Sequence, residues 1–307
     1  MRLSRRRFLT IAACAATLPM TSSAAPPTLH EWRGTALGAP ARLLLASDDP
    51  RRTARAVAAC RAELERLEAI FSLYRPDSAL VRLNQAGRLE APPPDLVALL
   101  SRAATLSAIS DGAFDVTVQP LWQLWAGHFA QPGADPAGPP AERIAAARAL
   151  VDWRGVSLST DAIVLDRPGM AVTLNGIAQG YITDAVAEVL RRQGFADVLA
   201  ALGEIRALGR RPDGGLWQVG LPNGATIALD GAVATSSPDG TRFSPTAHHL
   251  FDPATGRSSV NAREISVTAP TATLADGAST ALAVLPRARE AEMLRALPGV
   301  RVVEEGV

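Results

Sequence analysis

Near the C-terminal end, A-D-G-A-S-T (275–280) sets Asp276 and Thr280 four residues apart at the start of a stretch patterned as helix. Residues at i and i+4 share one helix face. A carboxylate and a hydroxyl on one face, close to a helix N-terminus, suit a hard oxygen-liking cation with a phosphate beside it. The chemistry implied is phosphoryl or nucleotidyl transfer. An aspartate capping its own helix has a similar placement without any ligand, so Asp276 keeps a purely structural alternative. Upstream lies H-H-L-F-D-P-A-T-G (248–256). His249 offers an acid–base group or a phosphate contact. His248 is better assigned a structural role, and Asp252, Pro253 and Gly256 can build the turn unaided.

Two other segments carry ligand-suited residues. L-N-G-I-A-Q-G-Y (174–181) joins a strand to a helix. Its small residues leave backbone groups bare, able to meet a phosphate or aim a carbonyl at a metal. A tight strand-to-helix turn is the alternative. In D-G-A-F-D-V-T-V-Q-P (111–120), Phe114 can stack on an aromatic ligand and Asp115 can accept from it. Otherwise the segment is a helix-ending Asp-Gly followed by a core phenylalanine. No G-x-x-x-x-G-K-[ST] loop, G-x-S-x-G elbow or Cys/His zinc spacing occurs.

The elements that must position these residues show in the hydrophobic pattern. Residues 34–46 pattern as a strand, 51–71 as an amphipathic helix and 94–110 as a second helix, with a loop at 71–78. Residues 111–120 end in strand-like alternation. Residues 132–140, rich in Pro, Gly and Ala, form a surface excursion, and 141–150 a short helix. Short strands are predicted at 156–158, 162–165, 198–202, 216–220, 225–229, 232–235, 264–269 and 299–303. Helices are predicted at 181–193, 275–285 and 287–296. N-G (223–224) and D-G (230–231) signal hairpins. The class is α+β with mixed or antiparallel sheets, in one unit of two lobes divided near 130–150.

The 307 residues carry Lys+Arg 31 against Asp+Glu 30, a net charge of +1. That balance argues against nucleic acid as the main partner. S-R-R-R-F-L-T (4–10) precedes a short apolar run and S-S-A (22–24), the pattern of a twin-arginine export signal over residues 1–24. An ordinary secretory signal and a lipobox at I-A-A-C (11–14) are the alternatives. The expected compartment is the periplasm, with residues 25–307 as one domain. After signal removal Cys60 is the sole cysteine, so no internal disulfide forms. It falls on the stripe Val57, Cys60, Leu64, Leu67, Phe71 and is expected to be a packing residue.

Taken in order, six segments resemble the ApbE family of FAD:protein FMN transferases across Thr35 to Val303. F-S-L-Y-R-P-D-S-A-L-V-R-L-N resembles "FSxYxxxSxLxxLN", and G-A-F-D-V-T-V-Q-P-L resembles "GxFDxTxxPL". L-N-G-I-A-Q-G-Y-I-T-D is similar to "LGAIAKGYAxD", G-E-I-R-A-L-G to "GGExRxxG", and H-L-F-D-P-A-T-G to "HxxDPxTG". S-V-T-A-P-T-A-T-L-A-D-G-A-S-T-A-L resembles "SVTVxAPTxxxADALATAL".

The resemblance implies an ApbE-like (T-fold-like) architecture and Mg2+-dependent transfer of FMN from FAD onto a threonine hydroxyl of an acceptor protein, with release of AMP. It assigns the metal to the side chains of Asp276 and Thr280 and the carbonyl of Gly176. Flavin contacts fall on Tyr74, Ala113, Phe114, Asp115, Thr173, Gln179 and Phe251, with Leu37 where the family has a methionine. His249 matches the histidine beside the phosphates. The implied partner is a flavoprotein carrying a D/S-G-A-T/S-x-A-T-like segment. The L-N-G-I-A-Q-G form with the export signal resembles the nitrous-oxide-reductase-maturation branch, whose acceptor is a membrane flavoprotein. Thr173, Gly176 and Gln179 stand where the family often has Asp, Ala and Lys, and Gln179 removes one positive charge near the phosphates. D-G-A-S-T-A (276–281) resembles the acceptor segment itself, but it lacks the final threonine and its Asp and Thr belong to the metal set. An FAD pyrophosphatase and a non-catalytic FAD carrier are the competing functions.

Overall fold

The computed structural model describes residues 27–303, so the predicted export signal and Cys14 lie outside the described residues. In chain order the elements begin with β1 (Leu29–Ala36), β2 (Ala39–Ala46), α1 (Pro50–Phe71), α2 (Ala79–Ala86), β3 (Arg88–Glu90) and α3 (Pro94–Ile109). The chain continues through α4 (Gln119–Phe129), α5 (Ala141–Arg148), β4 (Val156–Leu158), β5 (Ala162–Leu165), α6 (Ala178–Arg192), β6 (Val198–Ala201) and β7 (Ile205–Leu208). Then follow β8 (Trp217–Gly220), β9 (Thr226–Leu229), β10 (Ala232–Ser236), β11 (Phe251–Asp252) and β12 (Arg257–Ser258). The last elements are β13 (Ile265–Ala269), α7 (Ala272–Val284), α8 (Arg287–Ala296) and β14 (Arg301–Val302).

The fold is α+β. Its main sheet has seven strands in the order β1-β2-β6-β7-β10-β13-β14, and every neighbouring pair is antiparallel. Helices α6 and α7 pack together on this sheet. The core residues Leu43, Leu45, Val198, Ala234 and Val267 meet Ile182, Val186, Ala278 and Leu282 in the largest apolar cluster. α7 is buried on nearly every side, which its small residues allow. A Cβ on Gly180 would fall 2.2 Å from the Ala272 carbonyl oxygen, and one on Gly277 would fall 2.3 Å from Leu106 Cδ1. Glycine is therefore what lets α6 and α3 approach α7 this closely.

The ends of α6 and α7 hold each other. Asp184 of α6 accepts from Ala272 N (2.8 Å), Thr273 N (2.8 Å) and Thr273 Oγ1 (2.6 Å) at the start of α7. Asp276 of α7 accepts from Gly180 N in the first turn of α6 at 2.9 Å. Helix starts leave N–H groups without intrahelical partners, and here each helix supplies a carboxylate for the other.

Several sequence expectations are corrected. Residues 34–46 are not one strand but parts of β1 and β2, turned at Leu37 (φ 46°) and Gly38 (φ 75°). The alternation after Asp115 is not a strand: a 3-10 turn at Val116–Val118 leads into α4, with Pro120 in its first turn. D-G at 230–231 closes no hairpin, because β9 pairs with β8 whereas β10 pairs with β7 and β13. α7 begins at Ala272 with Thr271 as N-cap, so Asp276 is one turn inside and is not its own helix's cap. Leu121 and Trp125 of α4 pack with Ile144 of α5, Ala247 and Phe251 in a separate apolar cluster.

Candidate functional site

Three of the expected donors converge where the start of α6 meets the middle of α7. Thr280 Oγ1 donates to the Gly176 carbonyl across 3.3 Å. Asp276, one turn earlier on α7, is 4% exposed. Gly176 has to be small here, because a Cβ would fall 2.9 Å from Thr280 Cγ2 and 3.0 Å from Thr280 Oγ1. Ser236, the last residue of β10, completes the group: its hydroxyl lies 3.2 Å from Thr280 Oγ1 and 2.8 Å from Ser279 Oγ. The sequence reading missed Ser236. The signal available was the polar S-S-P-D-G run (236–240) directly after an apolar strand.

These are hard oxygen donors: a carboxylate, a hydroxyl and a carbonyl. They fit a small divalent cation that retains water or takes phosphate oxygens in its remaining positions. Among the described residues no group of three or more His, Cys, Asp or Glu side chains forms a metal site. A cation here therefore depends on the mixed oxygen set, with one carboxylate supplying the charge.

His249 connects to this cradle through the loop after β10. A 3-10 turn at Pro238–Gly240 follows Ser236. A Cβ on Gly240 would fall 3.1 Å from His249 Cε1, so the glycine backbone lies against the imidazole. His249 Nδ1 is 3.1 Å from the Thr241 carbonyl oxygen. A carbonyl only accepts, so Nδ1 carries the proton and Nε2 is the basic nitrogen of the neutral ring.

The loop bearing His249 is anchored from behind by α4 and α5. Trp125 Nε1 donates to the Gly256 carbonyl at 3.1 Å, and an Arg148 guanidinium nitrogen donates to the Ala254 carbonyl at 2.8 Å. Gly256 sits at φ 70°, tight against Ile144 and Leu121. Phe251 is 4% exposed and stacks 6.1 Å from Phe243, with Trp125 6.2 Å away. Its ring is packed as a structural anchor in this aromatic cluster. His248 is buried. Desolvation, with nearby Arg242, holds its ring below the ordinary histidine range, and its Nδ1 has no hydrogen-bond partner.

The remaining candidates divide by location. Thr173 N donates to the Val116 carbonyl at 2.8 Å, tying the 113–116 segment to the loop that carries Gly176. Phe114 is 4% exposed, with its ring packed in the main core. Asp115 caps the 3-10 turn, accepting from Thr117 N (2.7 Å), Thr117 Oγ1 (2.6 Å) and Trp153 N (3.1 Å). Burial still raises its carboxyl above the ordinary range, against the pull of those bonds. Ala113 is half-buried beside the core. Gln179 is 5% exposed, and its amide packs against Gly203 at φ 103°, where a Cβ would fall 2.4 Å from Nε2. Leu37 and Tyr74 belong to other loops. Leu37 N donates to Glu68 Oε1 at 2.6 Å, and the Tyr74 side chain is 77% exposed.

Comparison with known proteins finds relatives over most of the chain. Residues 37–303 match the ApbE family. The FAD:protein FMN transferase of Vibrio cholerae is 33% identical over 248 residues, covering 74% of this chain and 72% of the relative. That of Salmonella typhimurium is 30% identical over 302 residues, covering 90% and 84%. The apo crystal structure of the Pseudomonas stutzeri flavinyl transferase ApbE superposes with a TM-score of 0.76 at 30% identity, covering 91% of this chain and 92% of that one. By fold, by the order of its motifs and by the span of the match, the chain belongs to the ApbE family.

Proposed function

We propose that this protein is a Mg2+-dependent flavin transferase that moves FMN from FAD onto a threonine hydroxyl of an acceptor protein and releases AMP. The observation that carries this reading is the all-oxygen cradle of Gly176, Asp276 and Thr280, set one loop away from a histidine with a basic Nε2. Gly176, Asp276 and Thr280 would hold the cation, whose chemistry is to neutralise charge on the diphosphate oxygens as a Lewis acid.

The protein's residues then have distinct tasks. The exposed part of the loop before α6, at Asn175 and Gly176, receives the diphosphate. The exposed ring of Tyr74 covers the flavin, while residues 113–115 contribute backbone instead of the buried Phe114 ring. His249 Nε2 takes the proton from the acceptor hydroxyl, whose oxygen bonds to the FMN phosphorus. The phosphoanhydride P–O bond breaks and the bridging oxygen leaves with AMP. Thr241 keeps His249 in the required tautomer through Nδ1.

The twin-arginine pattern of residues 1–24 supports export to the periplasm, with residues 25–307 as the working domain and a membrane flavoprotein as acceptor. Among the described residues no helix is long and apolar enough to cross a membrane.

The test is incubation with FAD and Mg2+, with and without a threonine peptide of the acceptor pattern. Covalent FMN on the peptide together with AMP is the expected result. AMP released equally without peptide would replace transfer by hydrolysis, and bound FAD without AMP in either tube would leave a carrier.

A further inference from the structure

A hydroxyl chain lies directly behind the cradle. Ser236 Oγ is 3.2 Å from Thr280 Oγ1 and 2.8 Å from Ser279 Oγ, and in both pairs either oxygen can donate. Ser279 Oγ in turn donates to the Asp276 carbonyl at 2.9 Å. The three hydroxyls come from two elements, the end of β10 and consecutive residues of α7. Ser279 is 1% exposed, so its end of the chain is sealed from water.

Thr280 has one proton, and here it is directed at the Gly176 carbonyl. While that bond is made, the Thr280 proton and one Gly176 lone pair face each other across the gap between the two oxygens, and a cation held between them would meet the proton. For Thr280 and Gly176 to act together as ligands, the Thr280 proton has to rotate to another acceptor. Ser236 Oγ is within reach, provided its own proton points to Ser279. Ser279 can accept it because its proton is already committed to the Asp276 carbonyl. The only self-consistent polarity is then Thr280 to Ser236 to Ser279 to the Asp276 carbonyl. Each hydroxyl donates once and each oxygen accepts a proton the previous one gives.

We infer that Ser236 is a positioning residue of the cation site, receiving the Thr280 proton so that Thr280 Oγ1 and the Gly176 carbonyl can both face the metal. This rests on the transferase reading for the identity of the site, and it adds a residue and a task to that reading. Ser236 touches neither metal nor substrate in this role. It sets the direction in which Thr280 presents its lone pairs, as groups behind a metal's direct ligands commonly do.

The experiment is direct Mg2+ titration by calorimetry without FAD, repeated with Mn2+ followed by paramagnetic resonance, alongside metal-free melting curves. Ser236→Ala should weaken cation binding about 10-fold while the metal-free melting temperature stays close to that of the parent. Ser236→Thr, which keeps a hydroxyl, should restore most of the affinity. In a Thr280→Val background Ser236→Ala should have no further effect, because no Thr280 proton remains to be received. Unchanged cation affinity in a folded Ser236→Ala protein overturns the inference, as do fully additive losses in the double variant. Absence of cation binding by the parent protein would instead overturn the metal reading on which both stand.

Discussion

Asp184→Ala tests how the site is held in place. The carboxylate accepts three hydrogen bonds from the first turn of α7, at 2.8, 2.8 and 2.6 Å. Its side chain is only 22% exposed, and Arg206 Nε lies 3.9 Å away. Another Arg206 nitrogen is buried without a hydrogen-bond partner, so the guanidinium depends on that nearby charge. Loss of a helix-capping side chain costs roughly 0.5–2 kcal/mol, and hydrogen bonds to a charged group are worth about 1.5–3 kcal/mol each. Thr271 still caps Leu274 N at 3.3 Å, so α7 keeps part of its start. The net expectation is a loss of about 3 kcal/mol, or roughly 5–10 °C in melting temperature for a chain of this size. Asp184→Asn keeps one acceptor oxygen but turns an NH2 group toward N–H donors, and should lose about half as much. Thermal unfolding followed by circular dichroism measures both. Cation affinity should fall too, since Asp276 and Thr280 ride on the same helix. An Asp184→Ala protein that melts within about 1 °C of the parent would refute the reasoning.

Asp276→Ala should abolish turnover and Mg2+ binding in a protein that still folds; the orphaned Gly180 N–H costs about 1–3 kcal/mol, and calorimetry with a product assay checks both effects. Gly256→Ala forces a β-carbon into left-handed backbone against Ile144 and Leu121. It should cost about 1–2 kcal/mol from backbone conformation alone and should lower turnover through the His249 loop, as denaturant titration and kinetics would show. His248 is held neutral by burial. As pH falls below about 6.5 the unfolded chain takes up a proton that the native ring refuses, so stability declines by at most about 1.4 kcal/mol per pH unit. Stability curves from pH 7.5 to 5 should flatten in His248→Gln.

The long amphipathic helices were legible because their burial repeats every three to four residues: Cys60, Leu64 and Leu67 all face inward on α1. α4 was not, because V-T-V-Q-P alternates like a strand and Pro120 suggested an end when it lies in the first turn of a helix. α2 and β7, of eight and four residues, are too short to show a period. β1 and β2 merged because the turn between them, at Leu37 and Gly38, lacks the usual hairpin dipeptide. At the site, the pairing of Asp276 with Thr280 followed from helical spacing. Its meeting with Gly176 is a tertiary fact that came only through family resemblance. Spacing also could not show that Phe114 and Phe251 face inward, since aromatic side chains serve cores and ligands alike. Ser236 and Asp184 act across elements: the polar run after β10 marks a turn at Ser236 but not its partner, and no local pattern marks Asp184.

The Thr280 hydroxyl and the Gly176 carbonyl meet from positions 104 residues apart. Closing a loop of that length costs roughly 4 kcal/mol in chain entropy, more than one such bond returns. The two oxygens therefore come together only when the surrounding helices and sheet have already assembled. On the proposed reading, an incomplete chain would have no grip on a divalent ion, so competence for chemistry doubles as a certificate of finished folding. The same arithmetic suggests that two fragments, severed between α6 and α7, would each be inert and would regain activity only on reassociation.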